Sequence, residues 1–244
     1  MTPVARARER GVETLTLDSP HNRNALSAAL VGDLADALTD AGRDPGVRAV
    51  VLTHTGNTFS AGADLRDPPG PDALVGLLRR IVELPKPVVA RVTGHVRAGG
   101  LGLLAACDIA AASTTSTYAF TEVRIGVAPA VISLTLLPRA DPRALARHYL
   151  TGERFDAAEA VRTGLVTAAG DDVDAVLAPV LEGVRRASPQ GLAETKRLLT
   201  ARVLEAFDRD AADLTALSAR LFASSQAREG MTAFLERRDP EWVV

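Results

Sequence analysis

The sequence predicts an α/β fold with a parallel sheet, followed by a region made of helices alone. In the first half, short apolar segments typical of strands alternate with segments whose apolar residues recur at helical spacing. From about residue 130 onward only the helical spacing remains. Strands that alternate with helices are typical of a parallel sheet with helices on its faces. We expect the helical region either to pack on this sheet or to reach a neighbouring subunit.

The expected elements of the first half follow one another closely. A strand is expected at 12–18, where apolar and polar residues alternate. Ser27 fits the N-cap of a helix whose leucines share one face over 30–38. The continuous apolar run at 47–53 indicates a strand covered on both faces. Helical spacing returns over 74–81, and Pro85 is expected to end that helix.

The most informative pattern begins with an expected buried strand at 88–92 and ends in an apolar helix at 101–107. Gly99, Gly100 and Gly102 remove side chains where the first helical turn exposes its unpaired backbone N–H groups. These N–H groups and the positive end of the helix dipole favour a negatively charged oxygen. The pattern therefore predicts a site for such an oxygen.

After this stretch, a strand is expected at 108–112 and a short extended segment at 118–120, which leads to Glu122. Residues 55–64, between the second strand and the next helix, are expected to be a loop. Four later helices are expected. One spans 157–163, with Asp156 and Glu159 forming a capping box, and another begins after Ser188, with Pro189 at its first position. The last two are indicated by Leu214, Leu217 and Leu221 and by Met231, Phe234 and Leu235.

Composition excludes several classes of function. The 244 residues carry a net charge of −2 and only 4% aromatic residues, so neither nucleic acid nor an anionic membrane is an expected partner. The single cysteine, Cys107, cannot form an intrachain disulfide, and no ligand spacing suggests a metal site. The N-terminus lacks the apolar segment of a signal peptide, and no apolar run is long enough to span a bilayer. We expect a soluble, cytoplasmic protein.

Two common motifs are matched only in part. Gly100-Leu-Gly102-Leu-Leu-Ala105 fits G-x-G-x-x-A, but residues 93–99 separate it from the strand that a dinucleotide site requires. Phe59-Ser-Ala-Gly62 lacks the first glycine of the serine hydrolase pattern, because Thr58 stands there. Neither a dinucleotide site nor a serine nucleophile is therefore favoured.

The same two loops suggest another chemistry when they are taken together. Each follows an expected buried strand and offers small residues that leave backbone N–H groups open. Two such donors that converge on one point form an oxyanion hole. Glu122, flanked by Phe120 and Val123, is a candidate acid/base, because apolar surroundings raise the pKa of a carboxyl group towards neutrality.

Several motifs resemble the enoyl-CoA hydratase/isomerase (crotonase) superfamily. They are Asn24-Ala-Leu26, Phe59-Ser-Ala-Gly-Ala-Asp-Leu65, Ala98-Gly-Gly-Leu-Gly-Leu with Cys107-Asp-Ile109, Leu150-Thr-Gly-Glu-Arg-Phe-Asp-Ala and Gly164-Leu-Val166. Their order and spacing match over nearly the whole chain. The resemblance implies a crotonase-like spiral of ββα units over 1–190 and a helical C-terminal region over 191–244. It also implies a trimer, commonly paired into a hexamer.

The resemblance further implies an active site. The two oxyanion N–H groups fall on Ala63 and Gly99, which would hold the thioester oxygen of an acyl-CoA. Glu122 matches one of the family's two hydratase glutamates, whereas Gly102 stands in place of the other. Asp108 is expected to be a structural partner rather than a catalyst.

By the same resemblance, Arg23, Ala25, Ala61, Asp64 and Leu65 would line the path of coenzyme A. Phe234 and Arg237 would reach its adenine or a phosphate, on the same or a neighbouring subunit. Arg97 is not explained by the general family pattern, and a carboxylated or polar acyl group is its hypothetical partner. No metal or redox cofactor is implied, since coenzyme A arrives as part of the substrate.

The function implied is hydration of the 2,3 double bond of an enoyl-CoA, with Glu122 as general acid and base. The segment from Glu122 to Ser133 is similar to the hydratase branch that acts on 3-methylglutaconyl-CoA. Because one of the two carboxyl groups is missing, a Δ3,Δ2-enoyl-CoA isomerase is the alternative. A non-catalytic acyl-CoA-binding paralogue is an alternative of another class.

Overall fold

The computed structural model describes residues 2–244, which form two sheets surrounded by helices. The strands are β1 (Val4–Glu9), β2 (Val12–Leu17), β3 (Ala49–His54), β4 (Thr58–Ser60), β5 (Val88–Val92), β6 (His95–Arg97), β7 (Ile109–Ser113), β8 (Thr117–Ala119), β9 (Phe155–Asp156) and β10 (Ala168–Gly170). The α-helices are α1 (Ala28–Arg43), α2 (Pro71–Glu83), α3 (Gly99–Ala106), α4 (Ser133–Leu136), α5 (Pro142–Thr151), α6 (Ala157–Arg162), α7 (Val173–Arg186), α8 (Pro189–Phe222) and α9 (Ser225–Glu236).

The larger sheet has the strand order β1-β2-β3-β5-β7-β10. Strands β2, β3, β5, β7 and β10 are parallel to their neighbours, and only β1 pairs in the antiparallel sense. All residues of β3 are buried, because α1 and α2 lie on one side of the sheet and α7 on the other. The expected parallel sheet and α/β class are confirmed.

The smaller sheet has the order β4-β6-β8-β9, with β4, β6 and β8 parallel. The chain alternates between the two sheets: β3, β5 and β7 each lie in the larger sheet, and the strand that follows each of them lies in the smaller one. Helices α2 and α3 complete the first two of these ββα turns. This repeated path is the expected spiral, and it brings the carboxyl ends of three small strands to one edge.

Helix α8 anchors the helical region to the spiral through a buried ion pair. Lys196 lies on its buried face, 2.7 Å from Asp108, which also accepts a hydrogen bond from Val88 N at 2.8 Å. Lys196 donates further to the carbonyls of Ile81 and Lys86. Burial lowers the pKa of Lys196, and the Asp108 carboxylate opposes this effect. The structural role expected of Asp108 is thus observed.

Several element predictions need correction. The chain has a strand, β1, in the N-terminal segment for which none was expected, because only Val4 of its residues is buried and alternation is lost. The expected loop 55–64 contains β4, and the second half of the chain contains β9 and β10. Each of these strands has three residues or fewer. Residues 214–221 belong to α8 rather than to a separate helix.

The division into a core to residue 190 and a helical region from 191 stays a prediction. Within residues 2–244, no helix combines the length and apolar character needed to cross a bilayer.

Candidate active site

The segment after β4 is held beside residues 23–26 by three backbone hydrogen bonds. Ala61 N donates to Arg23 O at 3.0 Å, Leu26 N donates to Gly62 O at 2.7 Å, and Asp64 N donates to Leu26 O at 3.0 Å. This pairing brings together the five residues predicted to follow coenzyme A, since Ala25 and Leu65 lie in or next to the paired segments. The two segments therefore form one wall of the candidate site.

Asn24 fixes this wall to the loops on either side of it. Its side chain is fully buried; Oδ1 accepts from Ser19 N at 2.7 Å, and Nδ2 donates to Thr55 O at 3.0 Å and Thr58 O at 2.7 Å. A buried amide with all these partners holds three backbone segments in one arrangement. This explains in physical terms why the motif around Asn24 belongs with the loop after β4.

The backbone N–H of Ala63 points away from this pairing. The carbonyl of Gly62 faces Leu26 N, and the C=O and N–H of one trans peptide point in opposite directions. Gly62 has φ +93°, a conformation that side chains disfavour, and it turns the chain at this position. Within residues 2–244, Ala63 N donates no hydrogen bond.

Gly99 N is the second open donor, at the start of α3. It follows Ala98, whose φ of 45° and ψ of −123° are unusual for a residue with a side chain. Ala98 N donates to Ala119 O, and Ala98 O accepts from Leu101 N at 2.8 Å, so both ends of the strained residue are tied down. No acceptor for Gly99 N lies in the part of the chain that the structure describes.

The two turns lie against each other, so that the open amides are neighbours. A Cβ placed on Gly99 would lie 3.5 Å from Ala63 N, and a Cβ placed on Gly62 would lie 3.3 Å from Gly99 N. The second of these would also come within 2.7 Å of the Ala98 methyl group. Glycine at 62 is therefore required for the two loops to approach as closely as they do.

Glu122 begins the short 3-10 turn Glu122–Ile125 that follows β8. Its side chain is buried, and Oε2 has no hydrogen-bond partner within residues 2–244. Burial raises the pKa of this carboxyl group from 4.5 to about 7. A carboxyl group with this pKa exchanges protons readily near neutral pH.

The last helix packs directly on the turn that carries Glu122. A Cβ on Gly126 would lie 2.6 Å from the backbone of Gln226, and a Cβ on Gly230 would lie 2.5 Å from the backbone of Ile125. Only glycine at both positions permits backbone contact between α9 and the turn. Sequence reasoning did not anticipate this support, because glycine spacing alone does not identify the partner of a close contact.

The position at which the resemblance places a second glutamate, Gly102, is closed. A Cβ on Gly102 would lie 2.4 Å from Ile132 Cγ2 and 2.7 Å from Ile132 Cβ. Thr135 Oγ1 donates to Gly102 O at 3.0 Å and fixes the segment around Ile132 against α3. The absence of an acid at 102 is thus accompanied by packing that leaves no room for one.

Two hydroxyl side chains not singled out from the sequence lie on the elements around Glu122. The ring of Tyr149 on α5 is 4.4 Å from that of Phe120, centroid to centroid, and its hydroxyl is 3.5 Å from Ser133 Oγ. Burial raises the pKa of Tyr149, and the nearby charge of Glu122 raises it further. No local sequence signal marks Tyr149, which occupies a helix of ordinary pattern.

Arg97 lies beside the wall formed by residues 23–26 and 61–64, since a Cβ placed on Gly62 would lie 3.3 Å from Arg97 O, whereas Phe234 and Arg237 lie at the end of α9. The guanidinium of Arg97 is hydrogen-bonded to the carbonyl and hydroxyl of Thr117, and burial lowers its pKa to about 10, helped by the charges of Arg154 and Arg23. Phe234 on α9 is 59% exposed. No backbone hydrogen bond among the described residues joins Phe234 or Arg237 to that wall.

Known proteins match this chain over its whole length. The model of the enoyl-CoA hydratase/isomerase family matches residues 7–243. The crystal structure of an enoyl-CoA hydratase from Mycobacterium avium superposes with a TM-score of 0.94 at 55% identity, covering all of both chains. A Thermus thermophilus protein named as an enoyl-CoA hydratase is 36% identical, over 96% of this chain and 98% of its own length. The mevalonyl-coenzyme A hydratase of Aspergillus fumigatus is 33% identical over 93% of this chain and 90% of its own. The chain therefore belongs to the enoyl-CoA hydratase/isomerase family.

Proposed function

We propose that this enzyme adds water across the 2,3 double bond of an acyl-CoA thioester. The observation that carries the proposal is the close approach of two unpaired amides, Ala63 N–H and Gly99 N–H, in a chain whose buried Glu122 has an unpaired Oε2. The amides suit the thioester oxygen, and the carboxylate suits a proton on the reacting carbons or on water.

The two amides would stabilise the enolate oxygen that develops as water attacks. Fixed donors aimed at a developing oxyanion contribute most in a site from which bulk water is excluded, and each is typically worth about a hundredfold or more in rate. The hydrogen-bonded turn at Ala98 and the glycine at 62 hold these two amide donors in place before the substrate binds. Little reorganisation is then needed during the reaction.

Glu122 would serve first as base and then as acid. As the bond between water oxygen and Cβ forms, the carboxylate takes one proton from water and the π electrons move onto the thioester oxygen. The enolate then collapses, and the protonated Glu122 delivers its proton to Cα. Atoms and charge balance over the cycle, and the carboxylate is regenerated. A pKa of about 7 suits both steps.

A double-bond isomerase is the second candidate, and the closed position at Gly102 favours it. One carboxyl group suffices to remove a proton from Cα of a 3-enoyl-CoA and return it to Cγ. Since Ile132 fills the place of the second acid, the site has a single acid/base for either reaction. Both reactions use the same oxyanion donors.

Arg23, Ala25, Ala61, Asp64 and Leu65 would line the path of coenzyme A, largely through backbone atoms. The charge of Arg23 is among the causes of the lowered pKa of Arg97, and an anionic group of the substrate between these two side chains would be their common partner. A carboxylated acyl chain, as in the 3-methylglutaconyl-CoA hydratase branch, is one such substrate. Phe234 and Arg237 would meet the adenine or a phosphate.

We also infer that the chain assembles as a homotrimer or as a hexamer made of two trimers. Helix α8 leaves Leu198 and Leu199 at least 75% exposed, and α9 leaves Phe234 and Leu235 more than half exposed. Adjacent apolar side chains on the helical region support contact with further copies of this chain. Light scattering should give a mass of three or six times 25.6 kDa.

A panel of 2-enoyl-CoA and 3-enoyl-CoA thioesters tests the proposed reaction. Hydration removes the absorbance of the conjugated thioester, whereas isomerisation of a 3-enoyl-CoA creates it. Wild type should hydrate at least one 2-enoyl-CoA with kcat/KM rising with pH around 7, and Glu122→Gln should lose about a hundredfold or more. Binding of CoA thioesters without turnover, and unaffected by Glu122→Gln, would instead identify an acyl-CoA-binding protein.

A further inference from the structure

The hydration step, if the proposed function holds, needs a water molecule that is held as well as deprotonated. One hydrogen bond, to Glu122, leaves such a water free to turn about that bond. In this chain a second carboxyl group cannot provide the other contact, because Ile132 occupies the space beside Gly102. Another polar group near Glu122 must then orient the water.

The elements packed on the Glu122 turn offer one such group. Helix α5 contacts the turn, and Arg124 Nε of the turn donates to Thr151 O at the end of α5 at 3.1 Å. From the same helix, Tyr149 lays its ring against Phe120, two residues before Glu122. The Glu122 charge is felt at the Tyr149 hydroxyl, which is among the causes of its raised pKa.

Ser133 leaves the Tyr149 hydroxyl able to bond elsewhere. Ser133 Oγ donates to Pro129 O at 2.7 Å, so towards Tyr149 it acts as acceptor only. Its 3.5 Å separation from the Tyr149 hydroxyl lies at the limit of a hydrogen bond. A phenol held this loosely retains most of its capacity to donate to, or accept from, a bound water.

We propose that Tyr149, supported by Ser133, orients the attacking water towards the double bond while Glu122 removes its proton. The unpartnered Oε2 of Glu122 and the Tyr149 hydroxyl are the two protein contacts of that water. Tyr149 gives up no proton in the step: the proton moves from water to Glu122, and the new C–O bond forms at Cβ. Steps that involve no water do not use Tyr149.

Tyr149→Phe tests this role, because it removes only the hydroxyl. We expect kcat for hydration to fall about 10- to 100-fold, with KM for the thioester within twofold of wild type. Exchange of the Cα protons of a saturated acyl-CoA with D₂O uses the amides and Glu122 but adds no water, so its rate should stay within twofold. Ser133→Ala should reduce hydration by a smaller factor and leave the exchange unchanged.

Tyr118→Phe is the matched control, since Tyr118 is the chain's other tyrosine and its ring stacks on Phe155 in the core. It should change neither reaction. Equal losses of hydration and exchange in Tyr149→Phe would show a packing role only, and an unchanged hydration rate would show no role; either overturns the proposal. Failure of the proposed function is recognised separately, by wild type lacking both reactions or by Glu122→Gln retaining them.

Discussion

Burial of Glu122 should destabilise the folded protein above neutral pH, and Glu122→Gln should relieve this effect. The carboxyl group is almost wholly removed from water, Oε2 has no partner within residues 2–244, and burial raises the pKa of the group to about 7. Glutamine keeps the size and shape of the protonated acid but carries no charge. The substitution therefore tests the burial that makes Glu122 a neutral-pH acid/base.

The size and sign follow from proton linkage. Below the ordinary pKa of 4.5, Glu122 is protonated in both the folded and the unfolded state, so its ionisation does not change the free energy of unfolding. As the pH rises from about 4.5 to about 7, the unfolded chain loses this proton first, so the free energy of unfolding falls. Above about 7 the loss is complete, and at about 1.36 kcal/mol per pKa unit it amounts to about 3 kcal/mol.

Thermal unfolding of wild type and Glu122→Gln between pH 4.5 and 8.5 measures the effect. The melting temperatures should coincide at the acidic end and diverge to about 6–12 °C at pH 8, with the variant the more stable. Glu205→Gln, an exposed carboxyl group on α8, should show no such divergence. A difference that stays constant with pH, or in which wild type is the more stable at pH 8, would refute the reasoning.

Two further predictions concern close backbone contacts. Gly230→Ala should lower kcat at least tenfold, because its Cβ would lie 2.5 Å from Ile125 and would displace the Glu122 turn. Gly183→Ala is the control: a Cβ there would meet no atom within 4 Å, so the kinetics should stay unchanged. Gly102→Glu should not gain hydratase activity. Its melting temperature should fall by several degrees, because the added side chain would clash with Ile132. A variant that hydrates faster than wild type and is equally stable would contradict this.

The α/β class and most strands and helices could be predicted because their physical signals are local. Alternation at 12–18, the apolar run at 47–53 and the caps at Ser27 and Ser188 all correspond to observed elements. The elements missed were short or exposed. β1, for example, is held by antiparallel backbone pairing with β2 and by ion pairs of Arg6 and Arg8 with Glu13 rather than by burial, and such contacts leave no periodicity in the sequence.

The candidate site was predictable as far as backbone donors and one acid are concerned. Small residues after expected strands point to the two loops, the family resemblance points to Ala63 and Gly99 within them, and apolar neighbours point to the raised pKa of Glu122. Contacts between distant segments were not predictable. From the sequence, Gly102 shows only that an acid is missing at this position. The structure shows in addition that Ile132 packs against Gly102.

The helical region connects the proposed acid/base, Glu122, with the proposed assembly. Contact between α9 and the Glu122 turn is made by backbone, through Gly126 and Gly230, so the turn cannot shift without moving α9. If further copies of the chain cover the exposed apolar face of α8 and α9, assembly will restrict α9 and hence the position of the Glu122 carboxyl group. Dilution that dissociates the oligomer should then lower kcat before the fold is lost. Circular dichroism and activity measured on the same dilution series would separate the two, and unchanged kcat in the monomer would rule out this coupling.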